Sequence, residues 1–197
     1  MLMRSSQRGF SLIELMVTLT VAGIVMAAVV PAAQDLIANS RVRSSADAVQ
    51  NAIRLTQAEA IKRSRPAAFI LTNATPAVDA SPEANGTRWV ARLIRRTVDS
   101  DDTGLYLKGG TDPASLGVTV TGPAAICFNA FGQQVTMTST ANNLGVACTA
   151  PTDATPTAIT FAGTAATKTM RVQVSLGGRV RMCDTSKTVS ATSPDGC

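Results

Sequence analysis

The order of apolar and polar residues divides the chain into a continuous apolar run, a helical stripe and a series of alternating segments. The run covers residues 10–30 and contains a single charged residue, Glu14. Because a helix rises about 1.5 Å per residue, a run of this length matches a hydrocarbon core of roughly 30 Å. Arg4 and Arg8 precede it without any acidic residue. This positive charge predicts a single-pass transmembrane segment whose N-terminus is cytoplasmic.

The stretch after the run keeps a helical spacing of apolar residues. They recur at steps of three, four and seven, which places them in one stripe, at Val42, Ala46, Val49, Ile53 and Ala60. We therefore predict an amphipathic half of the same helix over residues 31–65, with the stripe packed against the chain's own β domain. Pro31 is expected to kink the helix rather than end it. Pro66 disfavours helix at the residue before it, so the helix should end near Arg65.

Residues 66–197 predict a β-rich globular domain, because β-branched residues alternate there with polar ones between turn residues. The candidate strands are residues 67–72, 87–94, 104–108, 117–121, 124–135, 158–163, 168–176 and 178–183. Two polar loops, residues 72–86 and 139–157, interrupt them, and the second should be mobile unless a cysteine tethers it. The predicted fold class is α+β, with a long N-terminal transmembrane and amphipathic helix packed on a C-terminal antiparallel β-sheet domain.

Composition limits the chemistry of this domain. The 197 residues carry a net charge of +5, 4% aromatic residues and no histidine. Because histidine, a nucleophile elbow and a phosphate loop are all absent, we expect no enzyme activity, no cofactor and no metal site. The segment 99–104, "DSDDTG", has the spacing of a calcium loop, but Gly110 stands where the closing glutamate is needed, so it is interpreted as a turn. The basic charge fits either a polyanionic partner or plain solubility.

Four cysteines lie in the C-terminal half, and their spacing does not match a zinc site. Outside the cytoplasm such cysteines form disulfides by default. Three complete pairings are open to four cysteines. We favour a bond between Cys183 and Cys197, which closes a short C-terminal loop, and a bond between Cys127 and Cys148.

The N-terminal motif raises the question of why an apolar run contains a carboxylate. A secretory signal peptide would have a shorter apolar region that ends in a small-residue cleavage site. A simple membrane anchor explains the length and the arginines but gives no reason for Glu14, because a charge in hydrocarbon is costly. The stretch "RGFSLIELMVTLTVAGIV", followed by Pro31, resembles the type IV pilin superfamily. The resemblance implies that a prepilin peptidase removes residues 1–9 by cutting after Gly9, and methylates Phe10 as the new N-terminus. It also implies that Glu14 pairs with the amino terminus of a neighbouring subunit.

Three segments in the second half of the chain narrow this resemblance to one group within the superfamily. The segments "ICFNAFGQ" (126–133) and "GRVRMC" (178–183) and the final "GC" are similar to the FimT/GspH group of minor pilins and pseudopilins. The sequence around Trp89 departs from that group, which usually has a second tryptophan nearby. The resemblance implies insertion in the inner membrane, then a place in the periplasm or the pilus fibre, with other pilin or pseudopilin subunits as partners.

A hairpin near the C-terminus is the candidate ligand site. The Gly177–Gly178 pair predicts a tight turn. Alternation then puts four residues on the core face, namely Val172, Val174, Val180 and Met182. On the outer face Arg179 and Arg181 lie about 7 Å apart, close to the spacing of successive phosphates on a nucleic-acid strand. Arg171 shares this face, and Lys168 and Lys187 extend it.

This hairpin resembles the glycine–arginine–x–arginine segment with which FimT-type minor pilins bind DNA during natural transformation. The resemblance implies that the outer-face cations contact the phosphates of double-stranded DNA weakly and without sequence specificity. No aromatic stacking platform is expected nearby, since Trp89 is interpreted as a core residue. The alternative is a merely solvated sheet face.

A second basic cluster, Arg88, Arg92, Arg95 and Arg96, is interpreted as surface charge. Two rival functions remain open at this point. One is a pilus assembly initiator without DNA binding, and the other is a minor pseudopilin of a type II secretion system.

Overall fold

The computed structural model of this chain describes residues 11–95, 104–110, 117–152 and 155–197, apart from the side chains of Ala28, Pro31 and Ala32. Its first element is α1, Leu12–Lys62, an α-helix of 51 residues. Ser11 caps its N-terminus, because the Ser11 side-chain oxygen accepts a hydrogen bond of 3.3 Å from the Glu14 amide. The helix continues through residue 31, so the prediction that Pro31 does not end it is confirmed.

The first half of α1 leaves its apolar side chains exposed. Leu12, Leu19 and Ile24, for example, are 78%, 63% and 73% exposed. Within the described residues, no helix combines the length and the apolarity that a membrane crossing requires. The transmembrane segment over residues 10–30 stays a prediction.

The β domain contains two antiparallel sheets of four strands each. One sheet has the order β3-β2-β1-β5, and its strands are β1 (Ala67–Thr72), β2 (Arg88–Leu93), β3 (Leu105–Gly110) and β5 (Ala125–Phe128). The other has the order β4-β6-β7-β8, and its strands are β4 (Val118–Thr121), β6 (Thr157–Gly163), β7 (Met170–Val174) and β8 (Val180–Asp184). The α+β class with an antiparallel domain is confirmed, whereas the division into two sheets was not predicted.

The predicted strand 124–135 is shorter than expected. β5 ends at Phe128 because Asn129 starts a tight turn, in which its Oδ1 accepts hydrogen bonds from the amides of Phe131 (2.9 Å) and Gln133 (3.0 Å). The chain passes from β4 in one sheet to β5 in the other through Gly122 and Pro123. Asn85 fixes this crossing, since its Oδ1 accepts a hydrogen bond of 2.9 Å from the Gly122 amide.

The main core lies between α1 and the two sheets. All five residues of the predicted helical stripe are buried in it, so the stripe packs against the chain's own β domain as predicted. Trp89 is 8% exposed and stacks on Phe69 with ring centroids 6.0 Å apart, which confirms it as a core residue. Gly110 pairs with Trp89 across β2 and β3, and a Cβ at this position would overlap the indole ring.

A second, smaller core covers the other face of the first sheet. It contains Ile70, Val90 and Ile94 from the sheet side and Leu144 from the loop that follows the short helix α2, Ser139–Asn142. The Cys127–Cys148 disulfide ties this loop to β5, with Cα atoms 5.7 Å apart. The second disulfide joins Cys183 to Cys197, with Cα atoms 5.1 Å apart, so both favoured pairings are confirmed.

Candidate nucleic-acid interface

The hairpin of β7 and β8 forms with the predicted turn and core face. Gln173 pairs with Arg181, and Arg171 pairs with Cys183. The turn is closed by a hydrogen bond of 2.9 Å from the Gly178 amide to the Ser175 carbonyl, and Gly178 has a φ of +83°. The four residues predicted for the core face pack on the main core, Val172 and Val174 completely and Val180 and Met182 partly.

The two arginines named first for phosphate contact have different surroundings. Arg179 is exposed at the tip of the hairpin, and its backbone amide donates to the Ser175 hydroxyl over 3.1 Å. Its guanidinium has no hydrogen bond or ion pair with any of the described residues. Arg181 instead turns to the C-terminal loop, where its Nη2 donates to the carbonyls of Pro194 (3.0 Å) and Gly196. Arg179 is therefore the better placed of the two for an external anion.

Of the remaining cations of the predicted patch, only Lys187 has an ion-pair partner among the described residues. Lys187 forms an ion pair of 2.6 Å with Asp195, and this hydrogen-bonded contact raises the pKa of Lys187 and lowers the pKa of Asp195. Lys168 is exposed but lines a cleft of about 360 Å³ that also contains Asp184 and Asp195. Arg171 is half-buried. Among the predicted patch cations, Arg181 and Lys187 are thus engaged by the C-terminal loop, whereas Arg179 and Lys168 remain exposed.

Asp184 anchors the loop that closes against β8. Its Oδ1 accepts hydrogen bonds from the Ser186 hydroxyl (2.7 Å) and from the Ser186 amide (2.9 Å). The hydroxyl contact is the main reason why the pKa of Asp184 lies below its ordinary value, while burial opposes it. The backbone carbonyl of Asp184 also accepts a hydrogen bond from the Cys197 amide. The loop is therefore held by a carboxylate, a disulfide and the guanidinium of Arg181.

An exposed aromatic ring lies beside the hairpin tip, contrary to the expectation that none would be near. Phe131 is 81% exposed on the turn that follows β5. The amide Nε2 of Gln57 on α1 donates to the carbonyls of Gly132 (2.6 Å) and Gly178 (3.0 Å). Phe131 and Arg179 each adjoin one of these glycines, so one side chain holds both turns together. The exposure of Phe131 was not predicted, because residues 124–135 were assigned to a single strand. Asn129 followed by Gly132 is the turn signal that could have revealed it.

The second basic cluster is only partly at the surface. Arg88 is half-buried and donates from Nη1 to the Asn73 carbonyl over 3.3 Å. Arg92 is only 6% exposed, so its interpretation as surface charge is wrong. The reason is that the face of β2 that carries Arg92 is covered by residues of the smaller core. Arg96 lies outside the described residues, as do residues 99–103 of the candidate calcium loop.

The N-terminal processing residues, Gly9 and Phe10, also lie outside the described residues. Glu14 lies in the first turn of α1, with an exposed side chain. The structure places this carboxylate some distance along the chain from the β domain, at the start of the half-helix whose apolar side chains are exposed.

Two protein families match this chain. The prokaryotic N-terminal methylation motif matches residues 4–30, and the type II transport protein GspH family matches residues 45–186. A crystal structure of the type IV minor pilin FimU from Pseudomonas aeruginosa is similar, with 12% identity and a TM-score of 0.49 over 80% of this chain and 96% of that chain. A second crystal form of FimU has 14% identity and a TM-score of 0.42 over 79% and 98% of the two chains.

Proposed function

The chain belongs to the GspH family of type II transport proteins, and we propose that within this family it acts as a minor pilin of a type IV pilus that binds DNA for uptake in natural transformation. Its membership and its N-terminal methylation motif make it a minor pilin or pseudopilin. The DNA-binding part of the proposal rests on one observation. At the hairpin tip, the guanidinium of Arg179 is exposed and has no partner among the described residues, while its neighbours Arg181 and Lys187 are engaged.

The geometry supports weak binding to phosphates without sequence readout. One exposed guanidinium and a net charge of +5 supply a local contact and a general attraction to a polyanion. One guanidinium can hold a phosphate but cannot read a succession of base edges, so binding should not depend on the DNA sequence. Phe131 is exposed on the turn that Gln57 holds to the hairpin tip, so its ring adds contact area for a sugar or an unstacked base.

Assembly into a filament is the second part of the proposal. Prepilin peptidase cuts after Gly9 and methylates Phe10, and Glu14 then pairs with the amino terminus of a neighbouring subunit. The matched motif, which covers residues 4–30, supports this processing. A carboxylate among apolar side chains is costly unless a cation meets it, and in a bundle of helices the adjoining subunit supplies that cation. The chain is thus inserted in the inner membrane and then enters the periplasm or the pilus fibre.

The DNA proposal is tested by fluorescence anisotropy with the full chain in a neutral detergent and a labelled DNA duplex at low salt. Arg179→Ala should weaken binding equally for all sequences and reduce the slope of log K against log salt by about 1, as expected for one lost phosphate contact. Arg88→Ala is the matched control and should leave binding unchanged, because Arg88 lies on the other sheet and donates to a backbone carbonyl. Binding that is unaffected by Arg179→Ala would exclude the hairpin tip.

A minor pseudopilin of a type II secretion system is the second candidate, and the description of the matched family favours it. It would contact other pseudopilins and need no DNA. If the wild-type chain does not bind DNA even at low salt, its function is either that of a pseudopilin or that of a pilus assembly initiator. Genes for secretion proteins or for pilus subunits beside its own gene would separate these two.

A further inference from the structure

Arg92, a buried arginine outside the hairpin, forms no ion pair within 4 Å with any carboxylate of the described residues. Arg92 is 6% exposed on β2, and its Nε is buried without a hydrogen-bond partner. Burial lowers the pKa of Arg92, and the charge of Asp79 partly offsets this effect. An arginine nevertheless stays protonated in proteins. A buried charge is strongly unfavourable without a close partner, and no such partner is found among the described residues, so Arg92 is suited to hold an anionic ligand.

A cleft opens directly beside this side chain. It has a volume of about 530 Å³, and Arg92 shares its lining with residues of two loops, namely Val78, Asp79, Ala80, Ser81, Asn143 and Leu144. The walls combine apolar residues with a few polar ones, as sites for small organic ligands do. Arg92 is buried, whereas Asp79 is exposed.

Both loops that form the walls are fixed by contacts of their own. The Glu83 amide donates to the Leu71 carbonyl over 2.8 Å, which ties the first loop to β1. The Leu144 amide donates to Asn142 Oδ1 over 2.9 Å, and the buried Asn142 amide group donates to the Val146 carbonyl over 2.9 Å. The Cys127–Cys148 disulfide holds this second loop to β5. The cleft is therefore formed before any ligand arrives.

We propose that this cleft binds a carboxylate, with Arg92 as its anchor. The planar guanidinium fork matches the two oxygens of a carboxylate, and Leu144 and Ala80 accept a short aliphatic body. Asp79 disfavours a second negative charge on the ligand and favours a hydrogen-bond donor near the rim. The ligand is thus a monocarboxylate, which is either a small free acid or the carboxylate of a polypeptide such as a neighbouring subunit. This site is independent of DNA binding at the hairpin.

The wild-type protein provides the first test. The full chain in detergent, with methyl-labelled alanine and leucine, is titrated with butyrate and with the uncharged butyramide. Butyrate should shift the methyl signals of Ala80 and Leu144 saturably, and butyramide should bind at least about tenfold more weakly, because it lacks the charge that Arg92 pairs with. Equal responses to both compounds, or no saturable shift with any carboxylate, would overturn the proposal.

A peptide arm separates the two sources of the carboxylate. Acetyl-Ala-Val with a free C-terminus is compared with its C-terminal amide and with butyrate. Tighter binding of the free-acid peptide than of butyrate assigns the site to a polypeptide carboxylate, and the reverse order assigns it to a small free acid. Both results support a carboxylate site.

The variant arm uses two arginines of the same strand. Arg92→Gln should weaken butyrate binding at least about tenfold, since it removes the charged fork. Arg88→Gln is the matched control and should bind butyrate like the wild type, because its guanidinium contacts Asn73 outside the cleft. A folded Arg92→Gln protein with wild-type butyrate affinity would refute the assignment. Where Arg92→Gln does not fold, the wild-type methyl titration decides.

Discussion

The two halves of α1 have the same secondary structure but opposite surroundings. In the first half Leu19 and Ile24 are 63% and 73% exposed, whereas in the second half Val42, Ile53 and Ala60 are completely buried. The first half is apolar around its whole circumference, while the second confines its apolar residues to one stripe. Among the described residues, the chain therefore supplies a packing partner for only the second half of α1. The first half is built for surroundings that lie outside this chain.

Truncating a buried stripe residue should give the largest difference between the halves. Ile53→Ala should lower the free energy of unfolding by about 3–5 kcal/mol, because it leaves a cavity between α1 and the two sheets. Ile24→Ala, the same change in the first half, should alter it by less than about 0.5 kcal/mol. Urea unfolding of the full chain in detergent, followed by Trp89 fluorescence, measures both. Equal losses in the two variants would show that the halves do not differ as described.

Removing a disulfide should have the next largest effect, and only on the β domain. Replacing Cys127 and Cys148 by Ala should cost about 3 kcal/mol, since the bond closes a loop with a sequence separation of 21. It should also release the loop that covers the smaller core. Chemical denaturation gives the energy, and amide exchange of Leu144 reports the loop. An unchanged midpoint would mean that packing alone holds this loop.

Loosening the link between α1 and the hairpin tip should have a smaller effect. Gln57→Ala removes both hydrogen bonds from Nε2 to the Gly132 and Gly178 carbonyls, which should cost about 1–2 kcal/mol. Gln133→Ala is the control, because its exposed amide contacts only Asn129 among the described residues, and it should cost less than about 0.5 kcal/mol. Thermal unfolding compares the two variants. If Gln133→Ala costs as much as Gln57→Ala, α1 does not hold the tip.

The smallest change in the free energy of unfolding is expected when the pH is lowered. The pKa of Asp184 is lower in the folded chain than its ordinary value, mainly because the Ser186 hydroxyl donates to the carboxylate. The stability that this carboxylate contributes is therefore complete above about pH 4 and is lost as the pH falls through its folded-state pKa. Asp184→Asn should reduce the slope of unfolding free energy against pH in that range. Identical slopes for the wild type and Asp184→Asn would contradict this role of Ser186.

Local patterns in the sequence were sufficient to predict the second half of α1 and the hairpin of β7 and β8. The stripe from Val42 to Ala60 follows helical spacing over its whole length, and the Gly177–Gly178 pair fixes the turn between β7 and β8. These features depend on residues that are close in sequence, and their structures follow from backbone geometry.

Contacts between distant segments explain what the sequence analysis missed. Arg92 appeared to lie at the surface because nothing near it in sequence indicates that the loop tied down by Cys148 covers its face of the sheet. Arg181 was assigned to DNA together with Arg179, but the last residues of the chain return to accept its hydrogen bonds. Phe131 was hidden inside a predicted strand. For Arg92 and Arg181 the exposure of the side chain depends on a segment that is distant along the chain, whereas the turn that exposes Phe131 is set locally by Asn129.

The central claim of this account is that the exposed half of α1 joins neighbouring subunits and that Glu14 makes the joining possible. The direct measurement is the amount of this subunit in filaments sheared from cells that produce wild-type or Glu14→Gln protein at equal membrane levels. Glutamine keeps the shape of the side chain but cannot pair as a charge with an amino terminus, so incorporation should fall at least about tenfold. Equal incorporation of the two proteins would contradict the claim.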